Sequence, residues 1–165
     1  MTVKNLLSEY ADYNLWANTQ MAYWLKSKAS ELMEAPVSSS FPNLKITVLH
    51  IWGAEKVWLE RLNEQTPETF ITDTFQGTAL EALDGWVKFS GTFQQYVHSL
   101  SDEQLMASCD FKLLNGTADN RPRVEMIQHC MNHSTYHRGQ MVTMARSLGL
   151  TDPPQTDYIK YIRIR

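Results

Sequence analysis

The sequence predicts an all-α protein, a four-helix bundle with a long crossover connection between helices three and four. Three observations carry this prediction. Four segments place apolar residues at every third or fourth position, proline and glycine bracket the last of them, and a long connection joins the third to the fourth.

The first helix is expected over 3–25. Val3, Leu6, Leu7, Tyr10, Tyr13, Ala17, Met21 and Trp24 recur at the spacing of one helix face. Leu15 and Trp16 fall off that stripe, which suits either surface exposure or a subunit contact for Trp16. The second helix is expected over 47–63, with Thr47 as N-cap and His50 in its first turn. Its apolar residues cover more than half the circumference, as suits a helix with several neighbours. The third is expected over 78–100, with Leu83, Trp86, Val87, Phe93, Tyr96, Val97 and Leu100 on one face and His98 turned to solvent. The fourth is expected over 122–148. Pro122 suits the first turn, and Gly149 suits the left-handed cap after the last. Its stripe comprises Met126, Ile127, Cys130, Met131, Met141, Met144, Ala145 and Leu148.

Between the third and fourth helices, Phe111–Leu114 followed by Asn115-Gly116 reads as a short extended piece and a turn, the pattern of a hairpin. So long a link can carry the chain across a bundle end, so up-down-up-down topology is not required. The tail from Thr151 has two prolines, then alternates aromatic or aliphatic with basic residues, and is expected to pack on the bundle. No repeat or domain boundary interrupts residues 1–165, so one domain is expected.

Composition narrows the function classes. Of 165 residues, 43% are hydrophobic and 20% charged, an ordinary globular balance. A formal net charge of −3 with no basic run argues against a nucleic-acid partner. No segment reaches the roughly 18 apolar residues of a membrane span. Glu9 and Asp12 make the first residues unlike a secretory signal. Cys109 and Cys130 form no C-x-x-C and no disulfide framework, which fits a reducing cytoplasm.

The chemistry lies in the histidines. His129, His133 and His137 form two overlapping His-x-x-x-His pairs. One turn of helix sets such Cβ atoms about 5–6 Å apart, and both rings can then face one ion at about 2.0–2.1 Å. Periodicity puts His133 and His137 at the edge of the apolar stripe and His129 nearer the polar side, so the inward pair is expected to ligate. His50, the single histidine of the second helix, is the candidate third ligand. Three imidazoles with an open position describe a catalytic type of zinc site, and nickel, iron and copper also accept imidazole. Binding should weaken as pH falls through the imidazole range near about 6.5. Cys130 is read as a small buried apolar residue in preference to a thiolate. Glu55 is read as a surface carboxylate in preference to a base. His-Glu-x-x-His, the P-loop, G-x-G-x-x-G and G-x-S-x-G are absent from the sequence.

Four segments together resemble the DinB family, the DNA-damage-inducible group of the DinB/YfiT-like superfamily. They are Tyr13-Asn14-Leu15-Trp16-Ala17-Asn18, Leu49-His50-Ile51-Trp52-Gly53-Ala54-Glu55, Asn132-His133-Ser134-Thr135-Tyr136-His137-Arg138-Gly139-Gln140 and the tail Pro153-Pro154-Gln155-Thr156-Asp157-Tyr158-Ile159-Lys160-Tyr161. The resemblance spans nearly the whole chain, and His-x-x-x-His-Arg-Gly-Gln is its most specific part. It implies a four-helix bundle with a long crossover, a homodimer, and a divalent metal held by His50, His133 and His137, with zinc the leading choice. Relatives in the wider superfamily use low-molecular-weight thiols, which implies an S-transferase that activates a thiol, or a hydrolase that activates water. The alternative is a non-catalytic, metal-binding dimeric stress or scaffold protein.

Overall fold

The computed structural model describes residues 2–113 and 115–165. These residues are mostly helical, with one small antiparallel sheet. In chain order they form α1 (Val3–Lys26), α2 (Glu31–Glu34), α3 (Leu44–Leu62), α4 (Ile71–Thr74), α5 (Ala79–Ser99), α6 (Asp102–Met106), β1 (Ser108–Lys112), β2 (Ala118–Pro122), α7 (Arg123–Ser147) and α8 (Tyr158–Ile164). The four long helices α1, α3, α5 and α7 lie where the four periodic segments are. None of the described helices is long and apolar enough to cross a membrane.

Capping residues set the ends. Thr78 and Glu81 form a reciprocal capping box at the start of α5. Gly149 takes φ +86°, and the amides of Gly149 and Leu150 return to the carbonyls of Arg146 and Ala145, closing α7 with a Schellman turn. Two expected starts are corrected. Asn43, not Thr47, caps α3: its side chain accepts from the Ile46 amide at 2.9 Å. Thr47 is buried one turn later and donates to the Asn43 carbonyl, so His50 falls in the second turn. Pro122 does not lie in the first turn of α7. It ends β2, opposite Ser108, because its extended backbone continues the ladder. The hairpin is where the sequence suggested, with Gly116 at φ +82° in its turn. Leu114, the end of the expected extended piece, lies outside the described residues.

Packing gives the direction of each long helix. One apolar cluster joins Met21 and Leu25 of α1, Leu44, Val48 and Ile51 of α3, Leu83 and Trp86 of α5, and Met141 and Met144 of α7. A second joins Leu7 and Ala11, Leu62, Phe93 and Val97, and Met126–Met131. Hence α1 and α7 run one way, and α3 and α5 the other. Each of α1 and α3 packs against both α5 and α7.

This arrangement moves the crossover. Residues 100–122, the longest link, stay at one end and fold into α6 and the hairpin. The link that must travel the full length is 63–78, between α3 and α5. It runs back along α3, placing Ile71 against Gly53 and Phe75 against the Trp52 ring. Length misled the sequence reading, because a long connection can be consumed by local structure while a short extended one covers more distance at about 3.3 Å per residue.

The tail is ordered. Tyr13 donates to the Thr156 carbonyl at 2.8 Å, and Tyr161 packs on Trp16 with ring centroids 5.5 Å apart. Trp16, off the α1 stripe, is therefore covered by α8 of its own chain.

Candidate metal centre

Between the two apolar clusters lies a polar layer, and the histidines sit at its edge. His50 comes from α3, and His133 and His137 from α7. Their Nε2 atoms form a nearly equilateral triangle, with separations of 3.1 Å (His50–His133), 3.2 Å (His50–His137) and 3.0 Å (His133–His137). Two nitrogens held about 2.0–2.1 Å from one tetrahedral ion stand about 3.3–3.4 Å apart, so the triangle needs little adjustment to take one. Among the described residues, no other histidine, cysteine or carboxylate joins this group.

The protonation states suit the same use. Burial pushes His50 down to about 4, aided by His137. Burial with the three neighbouring imidazoles pushes His133 down to about 3. Burial lowers His137 as well, against the pull of Gln140. All three rings are neutral at pH 7. The Gln140 carbonyl oxygen lies 2.7 Å from His137 Nδ1, while its amide donates to the hydroxyls of Ser40 and Tyr136. That pattern keeps the proton of His137 on Nδ1 and its Nε2 lone pair turned inward. Lone pairs facing one another at such distances repel. One inward N–H can be shared only poorly among three rings, whereas a cation serves them all.

Packing holds the rings. Phe41, from the loop before α3, lies 4.5 Å from the His50 ring centroid and 5.5 Å from that of His137. His133 Nδ1 is buried without a hydrogen-bond partner among the described residues, so packing against neighbouring rings orients it. The other two histidines stand apart. His129 lies on the Trp58 ring at 4.7 Å, with its ring 6.2 Å from that of His133. His98 is exposed and bonds to the Asp12 carboxylate.

Behind the triangle the expectation for Glu55 fails. It is wholly buried. Its Oε1 accepts from the amides of Asn14 and Asn18 at 2.8 and 3.1 Å, and its Oε2 accepts from Ser90 at 2.7 Å. Arg138, only 2% exposed, donates from Nη1 to the carbonyl oxygens of the same two asparagines. Two amides thus bridge guanidinium to carboxylate and tie α1, α3, α5 and α7 together. Burial pushes the Glu55 carboxyl up to about 7, against the pull of Ser90, Asn14, Arg138 and Asn18. A signal existed: Asn14 and Asn18 are one turn apart on a face otherwise apolar. Arg138 and Gln140 lay in the family-like segment without a role. Cys130 is buried, as expected.

A cavity of about 230 Å³ opens beside His50. Val57, Trp58 and Gly53 of α3 form one wall, and Phe70 and Thr72 of the crossover form the other.

The model of the DinB family matches residues 1–165. Protein DinB of Bacillus subtilis (strain 168) is 27% identical over 159 residues, covering 92% of this chain and 90% of that protein. The crystal structure of a DinB-like protein from Bacillus cereus ATCC 10987 superposes with a TM-score of 0.69 at 22% identity, covering 87% of this chain and 91% of that one. At that identity the superposition speaks to the fold alone.

Proposed function

The chain belongs to the DinB family, and from that premise we propose that it is a metal-dependent enzyme whose ion is held by His50, His133 and His137. The single observation behind the proposal is the inward-facing triangle of Nε2 atoms, all within 3.2 Å of one another. Zinc suits three neutral imidazoles best, with nickel and iron as competitors. When bound, such an ion supplies Lewis acidity that favours the thiolate form of a thiol or the hydroxide form of water.

The chain's own residues do the rest. Gln140 fixes the tautomer of His137, and Phe41 shields one side of the rings. The Glu55–Arg138 network holds α3 and α7 at a constant separation, so the triangle is built before any ligand arrives. The cavity beside His50 offers room for a substrate next to the ligands. A low-molecular-weight thiol as co-substrate, hence S-transfer, is our preferred reaction class, and hydrolysis is the competitor.

In this reading residues 1–165 form one cytoplasmic four-helix-bundle domain that pairs with a second copy. Val3 and Leu6, 39% and 51% exposed, support the pairing by leaving apolar surface on α1. Sedimentation equilibrium at micromolar concentration should return twice the 19.0 kDa chain mass, and a monomer would end the dimer proposal.

The metal reading is tested by elemental analysis of the purified chain and its single His→Ala variants. One ion per chain is expected. Removing His50, His133 or His137 should each lower affinity at least about 10-fold, whereas His98→Ala should leave it unchanged. Cobalt-loaded protein with 2-mercaptoethanol should then develop thiolate-to-metal absorption. Full metal content in all three ligand variants would sink the site, and a cobalt spectrum indifferent to thiol would remove the thiol reaction.

A further inference from the structure

Arg61 ends the cavity that begins at His50. It is 4% exposed, yet its Nε has no hydrogen-bond partner, and it belongs to none of the ion pairs among the described residues. Its guanidinium carbon lies 4.8 Å from the centre of the Trp58 ring and 5.5 Å from that of Phe111. Contacts with aromatic faces offset part of the loss of water. They do not replace an anion, because a guanidinium has five donors and desolvation penalises an ion left without a counter-charge. Arg138, by contrast, donates to Asn14, Asn18 and Thr135.

Placement gives the idle cation a use. His50, Ala54, Trp58 and Arg61 follow one another along one face of α3 at intervals of four and three, with Val57 beside Trp58. Long helical side chains lean toward the N-terminus, and the Arg61 head accordingly lies over Trp58, with Arg61 lining the same cavity as His50. Between the two ends the walls are mostly apolar, with Val57, the Trp58 ring and Phe70 beside Thr72.

We propose that this cavity recognises an organic carboxylate with an apolar or aromatic body, its anionic end paired with Arg61 and its other end delivered to the histidine triangle. A planar carboxylate can take two guanidinium donors side by side. The body would lie against Trp58 and Phe70. A volume of about 230 Å³ suits a small molecule rather than a peptide or polymer. The proposal deepens the metal-enzyme reading, which it needs only for what happens at the His50 end.

The test titrates benzoate, phenylacetate and 3-phenylpropionate, each beside its neutral amide, into the full-length chain. The Trp58 indole resonance reports binding, in chelated and in zinc-loaded protein. Because a carboxylate can also go to zinc, the chelated arm decides. There, at least one acid should bind 10-fold or more tightly than its amide. Arg61→Met should remove that preference and leave amide binding unchanged, while Arg61→Lys should retain part of it. Equal binding of acids and amides to the wild type, or no binding of either, overturns the inference without reference to any variant. A preference that survives Arg61→Met overturns it too. Failure of zinc to bind while the acid preference persists would overturn the metal reading alone.

Discussion

The side-chain carbonyl of Gln140 stands 2.7 Å from Nδ1 of His137, one turn along α7. This contact decides which nitrogen of His137 faces His50 and His133. Without it the ring can carry its proton on Nε2, where no ion can be ligated.

Replacing Gln140 with alanine should therefore weaken zinc binding by roughly 10–100-fold while leaving the fold intact. Gln140→Glu, which keeps an acceptor, should recover most of the loss. Zinc competition with a chromophoric chelator measures both, and unchanged affinity in Gln140→Ala would show that packing alone orients the ring.

The pH dependence follows from the depressed imidazoles. In the unfolded chain they protonate near about 6.5, whereas in the fold His50 and His133 wait until about 4 and about 3. Their folded values lie below the unfolded ones, so the stability they confer is present above about pH 6.5. It is lost as pH falls toward 4 and 3, because the unfolded state binds more protons there. Metal affinity should likewise persist below about pH 6.5 and be lost only at lower pH, because burial lowers all three imidazoles. Zinc titrations across pH, with urea unfolding of the metal-free chain, measure the two effects. A midpoint of metal loss at 6.5 would refute the burial of the rings.

The Glu55–Arg138 network should behave as one unit. Above about pH 7, where the Glu55 carboxyl is ionised, removing either charge strands the other, at a cost of about 3–5 kcal/mol. For a chain of this size that lowers the melting temperature by on the order of 10 °C. Glu55→Met with Arg138→Met should cost less than the sum of the single changes, because the second removes a charge the first had orphaned. Thermal unfolding of the four proteins makes the cycle, and strict additivity would mean that the two side chains do not interact.

The same network marks where sequence reasoning ran out. Glu55 looks like any helical glutamate, since nothing local distinguishes a carboxylate that meets Asn14, Asn18 and Ser90 from one that meets water. Those partners are 35 to 41 residues away along the chain. Arg61 has the same history: its neighbours in sequence are ordinary, and its isolation exists only once the crossover and the hairpin close over it.

By itself the sequence determined what depends on near neighbours. The four long helices follow from the three- and four-residue period, the end of α7 from Gly149, and the hairpin from Asn115-Gly116. The pairing of His133 with His137 follows from one turn of helix, and their distance is set by the backbone before any tertiary contact forms. The tertiary structure alone decided which link crosses the molecule, that α8 packs on Trp16 and that Glu55 lies buried, and it brought His50, the third ligand expected from the sequence, to 3.1 and 3.2 Å from the other two. The physical reason is range. Periodicity and caps act within a few residues, whereas the direction of a helix and the fate of a buried charge depend on the packing of all four long helices at once.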